Sequence, residues 1–258
     1  MYKRQVWSVE PITRSQSLYS LEKHGIYNIV SQDDYDNTQE PYEAEVDEVL
    51  GLTSVIKTEK EETFASLFSA TNVSQGKTLA PTEKFNESTS DIRGEVTTGR
   101  KTVREGCGIS PNTSIIPENV IDVILGNDQL KDWYRSGTSP RAGGGLISYT
   151  EIAKFMQVSR LFVPNSSKTT DGVAISQIWD NDIQLMVAPP TAIKRQVCFA
   201  YRLLRRGTGR GGASAGGGLV VYKNRPINPP VGTNIFVEDD YAYLIANAKA
   251  AYVLRGTI

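Results

Sequence analysis

Apolar and polar positions along the 258-residue chain repeat with two different periods, and each change of period marks an element. Residues 38–68 place Tyr42, Val46, Val49, Ile56, Phe64 and Leu67 at intervals of three, four, seven or eight, one stripe of a long helix. Thr38, Pro41 and the acids Glu40, Glu43 and Glu45 suit its first turn, where proline loses no hydrogen bond and carboxylates face the positive end of the dipole. At about 1.5 Å per residue this helix would run roughly 45 Å, with Gly51 as a place to bend. A weaker helix is expected over 91–105. The stretch from Pro111 to Leu125 predicts a strand at Ser114-Ile115-Ile116, then a helix opened by Pro117. Val120, Ile121, Ile124 and Leu125 form that helix's buried side, and Trp133 and Tyr134 close it. Residues 136–145 read as a flexible loop. Ser148-x-x-Glu151 is a capping box ahead of Ile152, Phe155 and Met156, so a third helix starts there.

Strands are expected at 160–163, 183–187, 235–237, 241–245 and 251–254. Val197, Phe199, Tyr201 and Leu203 alternate before a glycine-rich stretch, and Leu219 to Tyr222 follow it, which predicts a hairpin across the glycines. Residues 15–35 show two short extended pieces around His24-Gly25. They carry too little apolar surface for a core and predict an arm or hairpin that leans on something else, with His24 facing solvent. The composite is an α+β fold.

Composition narrows the class. Apolar residues at 39% and charged residues at 22% suit a globular domain, and no apolar run approaches the roughly 20 residues of a membrane-spanning helix. Cys107 and Cys198 lie far apart without a C-x-x-C, the pattern of reduced thiols rather than of a zinc site. Net charge is −1, yet residues 1–70 hold 13 acids against 6 bases, and residues 191–225 hold 8 bases and no acid. That polarity suits copies of the chain meeting head to tail better than it suits direct nucleic-acid contact. Residues 1–5, Met-Tyr-Lys-Arg-Gln, match the translation of a sequencing-library transposon end, so the natural chain is expected to begin upstream.

Two catalytic patterns fall in the glycine-rich stretch, and neither has its context. Gly207-x-Gly209-x-x-Gly212 needs a helix starting inside it and an acid about 20 residues on; instead a strand pattern and Arg225-Pro226-Ile227-Asn228-Pro229-Pro230 follow.

 Gly212-Ala213-Ser214-Ala215-Gly216 resembles a nucleophile elbow, but that triad runs Ser, acid, His, and the only histidine, His24, lies 190 residues upstream. Asp33-Asp34-x-Asp36 lacks the glycine and the distal glutamate of a calcium loop and predicts a capped turn. Asp180 and Asp182 read as turn residues, and Cys107 as a small buried apolar group. No catalytic, cofactor-binding or metal-binding residue is therefore assigned, and no cofactor is expected.

The order of the elements carries a resemblance. Pro111-Asn112-Thr113-Ser114-Ile115-Ile116-Pro117-Glu118-Asn119-Val120, the 150–158 stretch T-E-I-A-K-F-M-Q-V, Ile178-Trp179-Asp180-Asn181-Asp182 with Pro189, and the closing stretch from Asp239 to Gly256 follow one another as in the HK97-like major capsid proteins of tailed phages. The likeness covers about residue 15 to the C-terminus. It implies an E-loop remnant or arm over 6–37 and a first part of the P-domain over 38–110, with its spine helix over 38–68. It further implies an A-domain over 111–190 and P-domain strands over 191–258, with the glycine-rich loop at 207–218 and a last strand returning toward the A-domain. The implied function is a non-enzymatic subunit that assembles into pentamers and hexamers of an icosahedral head around double-stranded DNA. Portal, scaffolding or head-decoration proteins are implied partners, the packaged DNA would meet the inner face without sequence preference, and no membrane is involved. The implied location is the virion, after assembly in the host cytoplasm. An encapsulin-like compartment shell is the alternative that shares the fold, and an enzyme using the glycine-rich loop is a remote one. No residue here is assigned to the lysine–asparagine crosslink that some relatives form. An arm and a long helix that cannot cover their own apolar faces would need neighbouring copies to do so, and a chain lacking part of the E-loop is expected to assemble poorly.

Overall fold

The computed structural model describes residues 20–37, 43–87, 90–137, 147–169, 173–191, 196–204, 219–224 and 232–258. Two sheets and a helix between them organise these residues. The first sheet is antiparallel and centred on one long strand, β10 (Gly232–Ile245), numbered in chain order with the strands below. On one edge of β10 lies β1 (Glu22–Ser31), paired along its whole length from Glu22 opposite Tyr241 to Ser31 opposite Gly232. On the other edge lie β8 (Ala200–Leu204), opposite 241–245, and β9 (Val220–Asn224), opposite 234–238.

The second sheet has the order β2 (Gly76–Thr78), β11 (Ala251–Arg255), β7 (Ile183–Met186), β3 (Thr113–Ile115), β4 (Arg160–Phe162). Its β2–β11 and β3–β4 pairs are parallel and the other two are antiparallel. Helices α3 (Ile92–Cys107), α4 (Glu118–Gly126), α5 (Asp128–Gly137) and α6 (Tyr149–Phe155) build the core with it, and a small hairpin, β5 (Ser167–Thr169) with β6 (Ile175–Gln177), stands apart. The main core runs through Phe85, Ile92, Val96, Ile121, Ile152, Phe155, Leu185 and Val253.

Local chemistry accounts for the element ends. Asp91 caps α3 by accepting from the Gly94 N–H at 2.9 Å, and Gly108 ends it at φ +80°, a left-handed turn that a side chain would strain. The capping box of α6 forms as its sequence predicts: Glu151 accepts from the Ser148 N–H at 2.8 Å. Strand β3 and the helix after Pro117 also fall where their pattern places them, with Val120, Ile121 and Ile124 buried.

Several expectations change. The long helix is α2 (Ala44–Ser66), 23 residues, or about 34 Å, and it passes through Gly51 without interruption. Thr38, Glu40, Pro41 and Tyr42 lie outside the described residues. Its apolar stripe is also different. Leu52 and Ile56 are buried, whereas Val46 is exposed. The helix expected to run through Trp133 breaks at extended Asn127, whose side chain caps α5 by accepting from the Gln129 N–H at 2.9 Å. Ser136 and Gly137 end α5 instead of opening a loop, and 138–146 lie outside the described residues.

The two extended pieces around Gly25 are one strand, and 235–237 with 241–245 are one strand, because each long strand has the other as a continuous template. The helix and strand thought to need a neighbour cover each other: Val30, Leu52, Ile56, Ile235 and Val237 form a second, smaller cluster within the chain. Strands β8 and β9 are not a hairpin. Both run antiparallel to β10 on the edge opposite β1, so they are two collinear pieces of one interrupted strand.

Candidate assembly interface

No described residues converge as a catalytic centre, and among them no group of three or more His, Cys, Asp or Glu side chains is placed to hold a metal. Ser214 and the 207–218 glycine stretch lie outside the described residues. The Asp33-Asp34-x-Asp36 run forms a short helix, α1 (Gln32–Asn37), in which Asp34 accepts from the Ser31 N–H and hydroxyl, both at 2.8 Å. Those bonds hold its carboxyl below the usual range. Cys107 is half-buried, its thiol directed at the Ile109 carbonyl at 3.4 Å, and Cys198 is buried. Asp182 accepts from the Gly256 N–H at 2.8 Å, and the Thr257 N–H and hydroxyl donate to the Asn181 carbonyl at 2.8 and 2.7 Å. The 180–182 turn thus fastens the C-terminal residues, and burial pushes the Asp182 carboxyl up.

The polar residues that do converge lie along one helix. Thr233, Ile235, Val237, Asp239 and Tyr241 alternate on the buried face of β10, which turns an acid inward at the fourth place. On α2 the buried seam runs Leu52, Ile56, then Lys60, one turn on. Lys60 and Asp239 therefore meet as an ion pair whose carboxylate is 0% exposed, and Arg202 of β8 reaches the same oxygen at 3.4 Å. His24 does not face solvent. Its ring stacks on Tyr241 with centroids 4.2 Å apart, and its Nδ1 lies 2.8 Å from Glu59. Lys60 and Arg202 also sit over the Tyr241 ring, at 5.6 and 5.9 Å.

The next two residues of α2 face the other way. Glu61 accepts from the Trp179 Nε1–H at 2.7 Å and the Ser166 hydroxyl at 2.6 Å, and Glu62 pairs with Lys168 of β5. Residues 59–62 thus grip the first sheet with two side chains and the second body with two. Phe64 adds rings on both sides, against Tyr243 at 5.7 Å and Trp179 at 6.0 Å. Nearer the start of α2, Lys223 of β9 bonds Glu45 at 2.6 Å, which with the Tyr35 hydroxyl holds that carboxyl below the usual range.

Five acids of α2, Glu45, Glu48, Glu59, Glu61 and Glu62, have partners within the chain, while Asp47 is exposed. Large apolar side chains are exposed as well. Leu50 is 61% exposed and Tyr27 is 64% exposed. Tyr27, Phe236 and Tyr222 stand opposite one another on three adjacent strands, with Tyr27 and Phe236 stacked at 5.5 Å, on the sheet face turned away from α2. Ile175 on the β5–β6 hairpin is exposed as well. Surfaces of this kind mark contacts between proteins.

No family model and no curated protein matches the sequence. Comparison of folds decides the matter. A phage-related protein of Bordetella bronchiseptica superposes with a TM-score of 0.73 at 13% identity, over 93% of this chain and 77% of that one. The chain has the α+β fold of HK97-like capsid proteins. The mature capsid protein of bacteriophage PhiM1 matches at a TM-score of 0.50 and 12% identity, covering 99% and 78%. The holo-SrpI encapsulin complex of Synechococcus elongatus matches at 0.50 and 14%, covering 91% and 73%. The buried ion pair, the 59–62 grip and the exposed aromatic row all lie on this HK97-like fold.

Proposed function

We propose that this protein is the major capsid protein of a tailed phage, self-assembling into pentamers and hexamers of an icosahedral head that encloses double-stranded DNA. The supporting observation is the breadth of the fold match, 93% of the chain on a phage-related protein. The exposed apolar rows fit a subunit that completes its burial against copies of itself in a closed symmetric assembly. In this reading 6–37 is the E-loop remnant, 38–110 with α2 as spine helix the first part of the P-domain, 111–190 the A-domain and 191–258 the P-domain strands. Portal, scaffolding or decoration proteins are further partners, the DNA lies against the inner face without sequence recognition, and assembly takes place in the host cytoplasm. The role requires no catalytic step.

The encapsulin likeness supports a second reading, a cellular compartment shell around cargo protein. Purified particles separate the two: nuclease-protected double-stranded DNA inside them supports the phage head, and enclosed protein without DNA supports the compartment. Negative-stain microscopy of the purified protein tests both. Closed shells of uniform diameter are expected, and persistent monomers at high concentration would overturn the shell reading.

A further inference from the structure

The charged side chains of α2 divide into two sets. Glu45 meets Lys223, Glu48 accepts from Asn28, Glu59 meets His24, Lys60 meets Asp239, Glu61 accepts from Trp179 and Glu62 pairs with Lys168. The remaining two are Asp47 and Lys57. Both are exposed, and neither side chain has a partner among the described residues. At about 100° per residue they share one side of the helix with Val46, Leu50, Gly51 and Ser54, away from the buried Leu52 and Ile56. Val46 and Leu50 are exposed, so this side is apolar between an acid toward its start and a base toward its end.

Gly51 is a second sign. Glycine weakens the interior of a helix relative to alanine, and it is tolerated where something must come close. Gly94, Gly99 and Gly106 of α3 have that reason within the chain, each with an atom within 2.8 Å of where a Cβ would stand. Gly51 has none, for no described atom lies within 4 Å of that place. What a side chain there would obstruct is outside the described chain.

A patch with one acid and one base on either side of its middle is complementary to itself. Asp47 and Lys57 are ten residues, or about 15 Å, apart along the axis and centred on the level of residue 52. A second α2 turned through a half rotation at that level lies antiparallel. Its Lys57 then faces Asp47, its Asp47 faces Lys57, and Leu50 of each copy stands beside Ser54 of the other. Contacts of this isologous kind lie on twofold axes, which a closed symmetric shell contains. A polyanion, or a partner of one charge sign, would attract one of the two side chains and repel the other.

We propose that this side of α2 docks antiparallel on the same side of α2 in a second copy, with Gly51 setting the close approach and two Asp47–Lys57 pairs setting the register. This rests on the shell reading above. One pair of helix faces falls short of the about 800 Å² per partner that a stable dimer buries, so the contact belongs to the assembly rather than to a free dimer.

The purified protein is compared as wild type, G51A, G51L, D47K, K57E and D47K/K57E. Sedimentation velocity over a concentration series gives association, and thermal unfolding at low concentration gives monomer stability. G51A should raise the monomer melting temperature by roughly 1–4 °C while weakening association, and G51L should weaken association further. D47K and K57E should each weaken it at least about tenfold, and the double swap, which restores both pairs, should recover it. A second readout applies a zero-length carbodiimide to mixed isotope-labelled and unlabelled wild-type chains. It should join Asp47 to Lys57 of a different copy, because the two stand too far apart within one helix to be linked. Association unchanged in G51L, a double swap no better than its single changes, or links from Asp47 and Lys57 to other residues only would overturn the contact while leaving the shell reading intact. A lower melting temperature for G51A at low concentration assigns this side of α2 to a cover from the chain's own residues and likewise overturns it. A wild type that stays monomeric at every concentration overturns the shell reading and the contact with it.

Discussion

Among the described residues, 29 buried apolar side chains fill the core beneath the second sheet, against five between α2 and the first sheet. Charge adds to the smaller contact: Glu59 and Lys60 of α2 meet His24, Asp239 and, through Asp239, Arg202 of the first sheet. The larger body can therefore hold itself together by apolar burial, whereas the first sheet is joined to it through α2, a few directional contacts and the apolar ends of β8 and β10 at Ala200 and Ile245. Polar contacts of this kind weaken steeply with small displacements, so the two bodies should differ in how they fail.

Asp239→Ala should have the largest effect, about 3–5 kcal/mol, because it strands Lys60 and Arg202 without their carboxylate. Hydrogen exchange should show that loss concentrated in β1, α2 and β10. The double change Asp239→Leu with Lys60→Met should recover most of it, since a well-packed apolar pair often equals a buried ionic one. Ile121→Ala, in the larger core, should cost about 2–5 kcal/mol and open the whole protein together. Ile56→Ala removes an equally buried side chain, 1% exposed in both cases, from the small cluster. Its effect should be smaller and confined to the first sheet. Equal global losses from Ile121→Ala and Ile56→Ala would erase the contrast between the bodies.

The acidity of two carboxyls in the larger body gives a subtler contrast. Asp91 accepts from Gln129 Nε2 at 2.7 Å and from the Gly94 N–H, and these bonds lower its pKa. Its contribution is complete above its unfolded value and is lost as pH falls through the lower folded one. Asp91→Ala should accordingly cost about 1 kcal/mol at pH 7 and little in strong acid. Asp182 has the opposite sign. Burial raises its pKa, so its favourable contribution exists below the unfolded value and disappears as pH rises through the folded one. Asp182→Asn should melt higher than wild type at pH 7 and lose that advantage near pH 3, as read from melting temperatures across that range.

The smallest effect concerns the interrupted edge strand. Leu204 stands opposite Tyr241 and Val220 opposite Glu238, so only Asp239 and Asp240 separate the two pairings on β10. Deleting the 13 residues 207–219 leaves 205 and 206 to span that gap in register, and should change stability by less than about 1 kcal/mol. Deleting 12 would turn every β9 side chain to the opposite face. Calorimetry on the two deletions should therefore separate them clearly, and equal melting temperatures would contradict the collinear reading of β8 and β9.

Much of the larger body was legible in the sequence because its signals are local. The Ser148–Glu151 box, the strand and helix around Pro117, and the short apolar strand over 183–187 each depend on neighbours within a few residues. The first sheet was less legible because its signals are long-range. Gly25 looked like an interruption until the pairing of 22–31 with 232–241 supplied a template on which it is an ordinary strand residue. His24 looked exposed because Tyr241 and Glu59, its partners, are distant in sequence. One clue was available: Asp239 falls in the inward phase of an otherwise apolar alternation, and Lys60 falls one turn after Ile56, which together mark a buried ion pair. The collinear arrangement of β8 and β9 had no local sign, since a hairpin and an interrupted strand share the same flanking alternation.

The proposed role of this fold is a self-assembling shell, and electron microscopy of the purified protein tests it most directly. The account predicts closed particles of uniform diameter with pentameric and hexameric units resolved in class averages. Monomers or open, irregular aggregates at every concentration and salt condition would contradict it.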